Sequence, residues 1–244
     1  MASNENKTIC ILGESGSGKS MTLRNLDPKK AMVINAERQQ LPMENKGRLP
    51  SKSVSSWRDW KDFVEEKKYV DKIVKAKNKK KIKAYRKGRE KANEADLTQI
   101  SIYVVDSITA LSEFAMKHAQ ALNNNDWGAY NDYEPMLVSI MEDARNMEGQ
   151  FYLLGIAAPD SDDVDGKTFF QPLGQKAKRK RIERMFSLVV YVEPIYDDDD
   201  IHIDSEFIYR SNRRNSAKTP PGFMEGRVSN DIVLLEKALK KYYG

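Results

Sequence analysis

The chain of 244 residues carries 41 Lys/Arg against 36 Asp/Glu, for a formal charge of +5, with 40% hydrophobic and 32% charged residues. That is enough apolar sequence for one packed α/β domain with insertions, while a mean hydropathy of −0.68 implies a heavily solvated surface or long polar excursions. No apolar run approaches the ~18 residues of a membrane span, the start MASNENK is not a signal peptide, and the single Cys10 excludes an intrachain disulfide, so a reducing, cytoplasmic setting without a membrane partner is expected.

The first predicted element is a strand over 7–12, ending in the apolar run Ile9-Cys10-Ile11-Leu12. It leads into Gly13-Glu14-Ser15-Gly16-Ser17-Gly18-Lys19-Ser20, with Met21 next. A Gly-x4-Gly-Lys-Ser octet between strand and helix cradles a polyphosphate, because the glycines remove the Cβ atoms that would keep backbone N–H groups from the ligand. Lys19 would reach the β and γ phosphates and the Ser20 hydroxyl would ligate Mg²⁺. A helix from Gly18 to about Leu26 is expected, stopped by Asp27-Pro28.

A second buried parallel strand, Ala31 to Asn35, delivers Glu37 at a carboxyl end, the sheet edge where ligands bind in open α/β folds. Position alone leaves Glu37 either a base that activates water or a solvated loop acid. From Trp57 to about Lys91 the apolar spacing is helical, but past Ala76 only Ile82 and Tyr85 interrupt the lysines. Residues 67–91 hold thirteen Lys/Arg against Asp71 and Glu90, a local +11, which leaves −6 for the rest of the chain. The second half of this Lys-rich insertion, about 67–95, is expected to project as a hairpin, a helix or a disordered arm, either simply solvated or touching nucleic-acid phosphates.

Ile100 to Val105 is a β-branched run closed by Asp106-Ser107, and a carboxylate at that strand end would hold Mg²⁺ with the phosphate loop. Ile108 to His118 keeps helical spacing; Asn123 to Gly128 reads as a turn, and a helix is predicted to open near Pro135. Phe151 to Ala158 is a fourth strand, followed by a polar loop over about 159–181. A fifth strand over 187–192, a hairpin tip at Asp197 to Asp200, an alternating strand over 201–209 and a last helix from Ile232, capped by Ser229 or Asn230, complete the pattern.

Three landmarks in chain order, the octet, Asn35-Ala36-Glu37 and Val104-Val105-Asp106-Ser107, resemble the RecA superfamily of ATPases. With Asp126-Trp127-Gly128 and Lys218-Thr219-Pro220-Pro221-Gly222, the chain is most similar to phage-encoded AAA-type, RecA-core NTP-binding proteins, some of which, the Sak type, assist single-strand annealing. The resemblance implies a RecA-like P-loop core, a mostly parallel twisted sheet flanked by helices with an antiparallel C-terminal edge hairpin, and one domain over 1–244. It implies ATP hydrolysis with Glu37 polarising water, Asp106 on the metal side, and Lys218 reaching the γ-phosphate of a neighbouring subunit in a ring or filament. It also implies a DNA-contacting loop at 159–181, where Phe169 and Phe170 would stack on bases and Lys176, Lys178, Arg179, Lys180 and Arg181 would neutralise phosphates. Single-stranded DNA and a single-strand binding protein are the partners implied. Two departures stand out: Ala157-Ala158 replaces a common polar sensor, for which Gln171 or Gln175 would substitute, and Asn35 replaces a frequent Asp. The alternative reading is a nucleotide-dependent switch or assembly factor that binds a protein through the basic insertion.

Overall fold

A computed structural model describes residues 8–40, 49–159, 167–172, 182–212 and 214–244. Strands β1 (Thr8–Gly13), β2 (Ala31–Asn35), β3 (Ser51–Ser53), β4 (Ile102–Asp106), β5 (Gln150–Pro159) and β7 (Leu188–Tyr196) pair in parallel in the order β3-β2-β4-β5-β1-β7. The antiparallel strands β8 (His202–Ile208) and β9 (Val228–Ser229) extend the β7 edge, and β6 (Thr168–Phe170) folds back on β5. This is the mostly parallel sheet with an antiparallel edge hairpin of a RecA-like P-loop α/β fold.

The strands read as unbroken apolar runs because helices cover both faces, yet the period of two still sorts their side chains. Cys10, Leu12, Tyr103, Val105, Phe151 and Leu153 face the layer of α1 (Trp57–Lys75), α3 (Ile108–Leu122) and α4 (Asp126–Asn146). Ile9, Ile11, Val104, Tyr152 and Leu154 face the other layer, built by the chain after the phosphate loop and by α5 (Ile232–Tyr243).

The helical pattern over 57–91 divides in two. Ser56 caps α1, accepting from the Asp59 N–H. The helix stops just before Lys77, which takes a left-handed φ of 50°, and Asn78 restarts it by capping α2 (Lys79–Lys91). Tyr85 and Arg89 of α2 both reach back to Glu66 of α1, at 2.8 and 2.7 Å, so the insertion is a helical hairpin.

Three expectations are corrected. The segment after the octet is a 3₁₀ turn, Lys19–Leu23, rather than a helix to Leu26. Helix α4 starts at Asp126 and contains Pro135, because the Asn125 side chain accepts from the Gly128 N–H and caps the helix well before the proline. Helix α5 is capped by Asp231, whose carboxylate accepts from the Val233 N–H, and not by Ser229 or Asn230. The four aspartates form the expected turn, in which the Asp197 carboxylate accepts from the Asp199 and Ile201 N–H groups.

One buried charge ties the insertion to the core. Lys67 on α1, 2% exposed, pairs with Asp71 and sits 5.1 Å from the centre of the Tyr103 ring. Burial lowers its pKa, against the pull of Asp71. The other Asp71 oxygen accepts from the Glu148 N–H at 3.0 Å. Removing only the acid strands an ammonium in the core, whereas an apolar replacement of the lysine does not. Asp71→Ala should therefore cost about 3 kcal/mol in urea unfolding, and Lys67→Met should stay within about 1 kcal/mol of the parent. Equal losses would show that packing rather than charge decides this site.

Candidate active site

The carboxyl ends of β1, β2 and β4 bring the sequence-predicted residues Lys19, Ser20, Glu37 and Asp106 together. β1 and β4 are separated by β5, so the octet and Asp106 meet across that strand rather than as immediate neighbours. The Ser20 hydroxyl donates to Asp106 Oδ2 at 3.0 Å. The Asp106 main-chain carbonyl accepts from the Ala36 and Glu37 N–H groups at 2.7 and 3.1 Å, which pins the loop after β2 to the end of β4.

Ser107 has two tasks. Its Oγ caps α3 by accepting from the Ala110 N–H, and the same hydroxyl donates to Glu37 Oε1 at 2.6 Å. Glu37 is thus oriented by the residue next to Asp106. Asn35 shapes the turn that carries it: its oxygen accepts from the Arg38 N–H at 2.7 Å, and its amide donates to the Gln39 carbonyl at 2.8 Å. An aspartate could not make the second bond, which is a physical reason for the amide at this position.

Lys19 folds over its own loop, donating to the Gly13 and Glu14 carbonyls at 3.0 and 2.6 Å. Burial lowers its pKa, opposed by Glu37, Asp106 and Glu14. Asp106, 6% exposed, is pushed up to about 6 by burial and by the nearby Glu37, against the Ser20 hydrogen bond and Lys19. Two carboxylates and a hydroxyl at one edge form a hard-oxygen donor set. Among the described residues no group of three or more His, Cys, Asp or Glu could hold a metal by itself. The set suits Mg²⁺, which keeps water and takes phosphate oxygens to complete its shell.

The octet is supported from behind by residues that sequence reasoning missed. Ser205 Oγ on β8 donates to the Ser17 carbonyl at 2.8 Å, and Asn230 Nδ2 donates to the Gly18 carbonyl at 2.7 Å. Since the Ser205 proton goes to Ser17, His202 Nε2, 2.9 Å away, carries the N–H of that contact. In a trans peptide the N–H points opposite the carbonyl, so anchoring these two carbonyls turns the Gly18 and Lys19 N–H groups the other way, toward a ligand. Gly18 has φ 86°, and a Cβ there would lie 2.5 Å from Ser205 Oγ, so this close approach requires glycine. Ser17 Oγ is buried without a partner among the described residues, an unused donor in the cradle. The alternation of β8 hinted that Ser205 points inward, but nothing in the sequence indicated what it meets.

Other expected site residues lie elsewhere. Phe170 is 3% exposed and packs in the core beside Ala157, so its ring is not available for stacking on bases; Phe169 is half-buried on β6. Lys176, Lys178, Arg179, Lys180, Arg181 and Gln175 fall outside the described residues. Gln171 donates to the Ala158 carbonyl at 3.0 Å, which puts an amide at the end of β5 where the sequence has only alanines. Lys218 bridges to Val189 of β7, and its ammonium donates to the Phe186 carbonyl at 3.0 Å. A cavity of about 440 Å³ opens beside Glu37, lined by Arg38, Ser55, Thr109, Glu113 and Lys117.

Two consequences can be measured. Ser205→Ala and Asn230→Ala should each weaken nucleotide binding by roughly tenfold, the loss of about one hydrogen bond that orients a donor, while the far-ultraviolet spectrum stays unchanged. Unchanged affinity in both would remove their positioning role. Asp106 has a folded-state pKa above the ordinary carboxylate value, so the stability it confers is complete in acid and is lost as pH rises through about 6. Without ligands, Asp106→Asn should be more stable than the parent at pH 7.5, by on the order of 2 kcal/mol, and the gap should close near pH 4. A gap independent of pH would show that ionisation of Asp106 is not its cause.

A family model of the AAA domain matches residues 5–220. No curated protein matches the chain. The matched span begins just before β1 and runs past Lys218, so it contains the octet, Glu37, the Asp106-Ser107 pair and the supporting Ser205. The chain belongs to the AAA domain family, as a nucleotide-binding P-loop protein.

Proposed function

We propose that this protein hydrolyses ATP to ADP and phosphate and acts on single-stranded DNA, in recombination or strand annealing of the kind its Sak-type phage resemblance implies. The observation that carries the hydrolytic part is the 2.6 Å bond from Ser107 to Glu37, which orients a carboxylate beside the Ser20–Asp106 pair. Phosphoryl transfer to water asks for positioning and charge stabilisation more than for covalent chemistry, and these residues supply both.

In this reading the octet from Gly13 to Ser20, with Met21, holds the phosphates, and Lys19 exchanges the Gly13 and Glu14 carbonyls for phosphate oxygens. Those are charge-assisted bonds and are stronger than the ones given up. Ser20 and Asp106 would hold Mg²⁺, which would neutralise charge on the phosphates. Glu37 accepts a hydrogen bond from the attacking water with its free oxygen lone pairs while Ser107 keeps the carboxylate aimed. Lys218 has no hydrogen bond to its own phosphate loop among the described residues, which fits a role toward the nucleotide of a neighbouring subunit in a ring or filament; it would first leave the Phe186 carbonyl. The DNA part rests on the resemblance and on the charge of the insertion, and a single-strand binding protein would be a natural co-partner.

Glu37→Gln should retain ATP binding within about threefold while turnover falls by at least about 10²-fold, the size of a general-base contribution. Loss of binding would instead make Glu37 structural. Turnover of the parent should rise on adding single-stranded DNA at low salt and lose that response at high salt. Turnover indifferent to DNA at both salt concentrations would favour a nucleotide-dependent assembly factor.

A further inference from the structure

We infer that the outward face of α2 is a binding surface for a nucleic-acid phosphodiester backbone, an inference that rests on the proposed action on DNA. Helix α2 carries eight Lys/Arg and one acid, Glu90, in thirteen residues. Its two faces are treated differently. On the inner face Tyr85 and Arg89 bind Glu66, which also accepts from Lys52 of β3 at 2.8 Å. Arg86 binds Thr98 and Asp96, and Arg89 also donates to the Ala95 carbonyl.

The outer face has no such partners. Lys80, Lys83, Lys87 and Lys91 are exposed, and among the described residues none takes part in a hydrogen bond or ion pair. They recur at intervals of three, four and four, so one helical stripe holds all four, with Lys79 and Lys81 flanking it. At about 1.5 Å per residue the stripe is ~16 Å long, with neighbours ~5–6 Å apart along the axis. Like charges at these intervals oppose helix formation. A merely solvated arm would need no anchors, yet Glu66 and Asp96 tie this one to the body, with the lysines on the exposed side.

The chemistry of the face selects its ligand. Between and beside the lysines lie Ala84, Gly88 and the exposed Glu90, with no large apolar side chain to enter a bilayer or fill a protein groove. A row of ammonium groups without an apolar anchor matches a regularly spaced polyanion and tracks it without reading sequence.

The test uses the full chain with Lys80, Lys83, Lys87 and Lys91 all changed to Gln, and a fluorescent thirty-nucleotide oligothymidine as probe. These side chains support no fold contact, so DNA-independent ATP turnover should match the parent. Releasing four fewer counterions should make the slope of log affinity against log salt shallower by about 3, and binding at low salt should fall roughly a hundredfold. Parent binding with an unchanged slope in the variant would overturn this inference and leave the DNA reading standing. A parent that binds neither the oligonucleotide nor a duplex would overturn both. A parent that binds phosphatidylserine vesicles but not oligonucleotide would replace the nucleic acid by a membrane surface.

Discussion

The backbone and side chain of Asp106, with the hydroxyl of Ser107, hold the site together. Asp106 offers its carbonyl to the loop that carries Glu37 and its carboxylate to Ser20 of the phosphate loop. Ser107 caps α3 and holds the Glu37 carboxylate with one hydroxyl group. Two segments remote from β4 in sequence, the phosphate loop and the loop after β2, are thereby fixed to a single strand end. The parallel register of β2 with β4, Asn35 opposite Asp106, makes this possible, because a slip of one residue would turn the side chains of the slipped strand to the opposite face.

The phosphate loop needs a second support because the segment after it is short. Five residues of 3₁₀ turn contribute fewer aligned peptide dipoles than a full helix would, so the loop cannot rely on a long helix for its geometry. The C-terminal part of the chain makes up the difference. Ser205 and Asn230 hold two loop carbonyls, Arg24 donates to Ser229 at 2.8 Å, and Asn25 donates to Asp231 at 2.7 Å. These four contacts join the segment after β1 to β8, β9 and the cap of α5. The antiparallel edge is therefore structural for the site.

Much of this was legible in the sequence where local chemistry is strong. The octet, the apolar strands and the carboxylates at strand ends can be read from spacing and residue type alone, and Glu37, Asp106 and Ser20 do converge. Elements defined by competition were harder. Pro135 suggested a helix start, but Asn125 supplied a better cap, and the 3₁₀ turn replaced a helix whose length depended on contacts with residues more than two hundred positions away. Ser205 and Asn230 were invisible because a hydroxyl or an amide in a polar stretch says nothing about which carbonyl it will meet. Phe169-Phe170 looked alike in sequence, yet pairing of β6 with β5 buries Phe170 and leaves Phe169 half-exposed.

The charges of the site explain why it is poised rather than relaxed. Asp106 is buried beside Glu37 and held by one hydroxyl, while the nearby Lys19 ammonium is turned onto two neutral carbonyls. Each ion is paired less well than it would be with opposite charge at hydrogen-bond distance, and burial enlarges that deficit. A cation placed at Ser20 and Asp106 together with a polyphosphate under Lys19 would correct both deficits at once. The carboxylates gain a positive partner and the lysine gains a negative one. At neutral pH the folded chain thus carries an electrostatic cost that a ligand with both signs of charge would remove, and a metal-bound nucleotide has that composition.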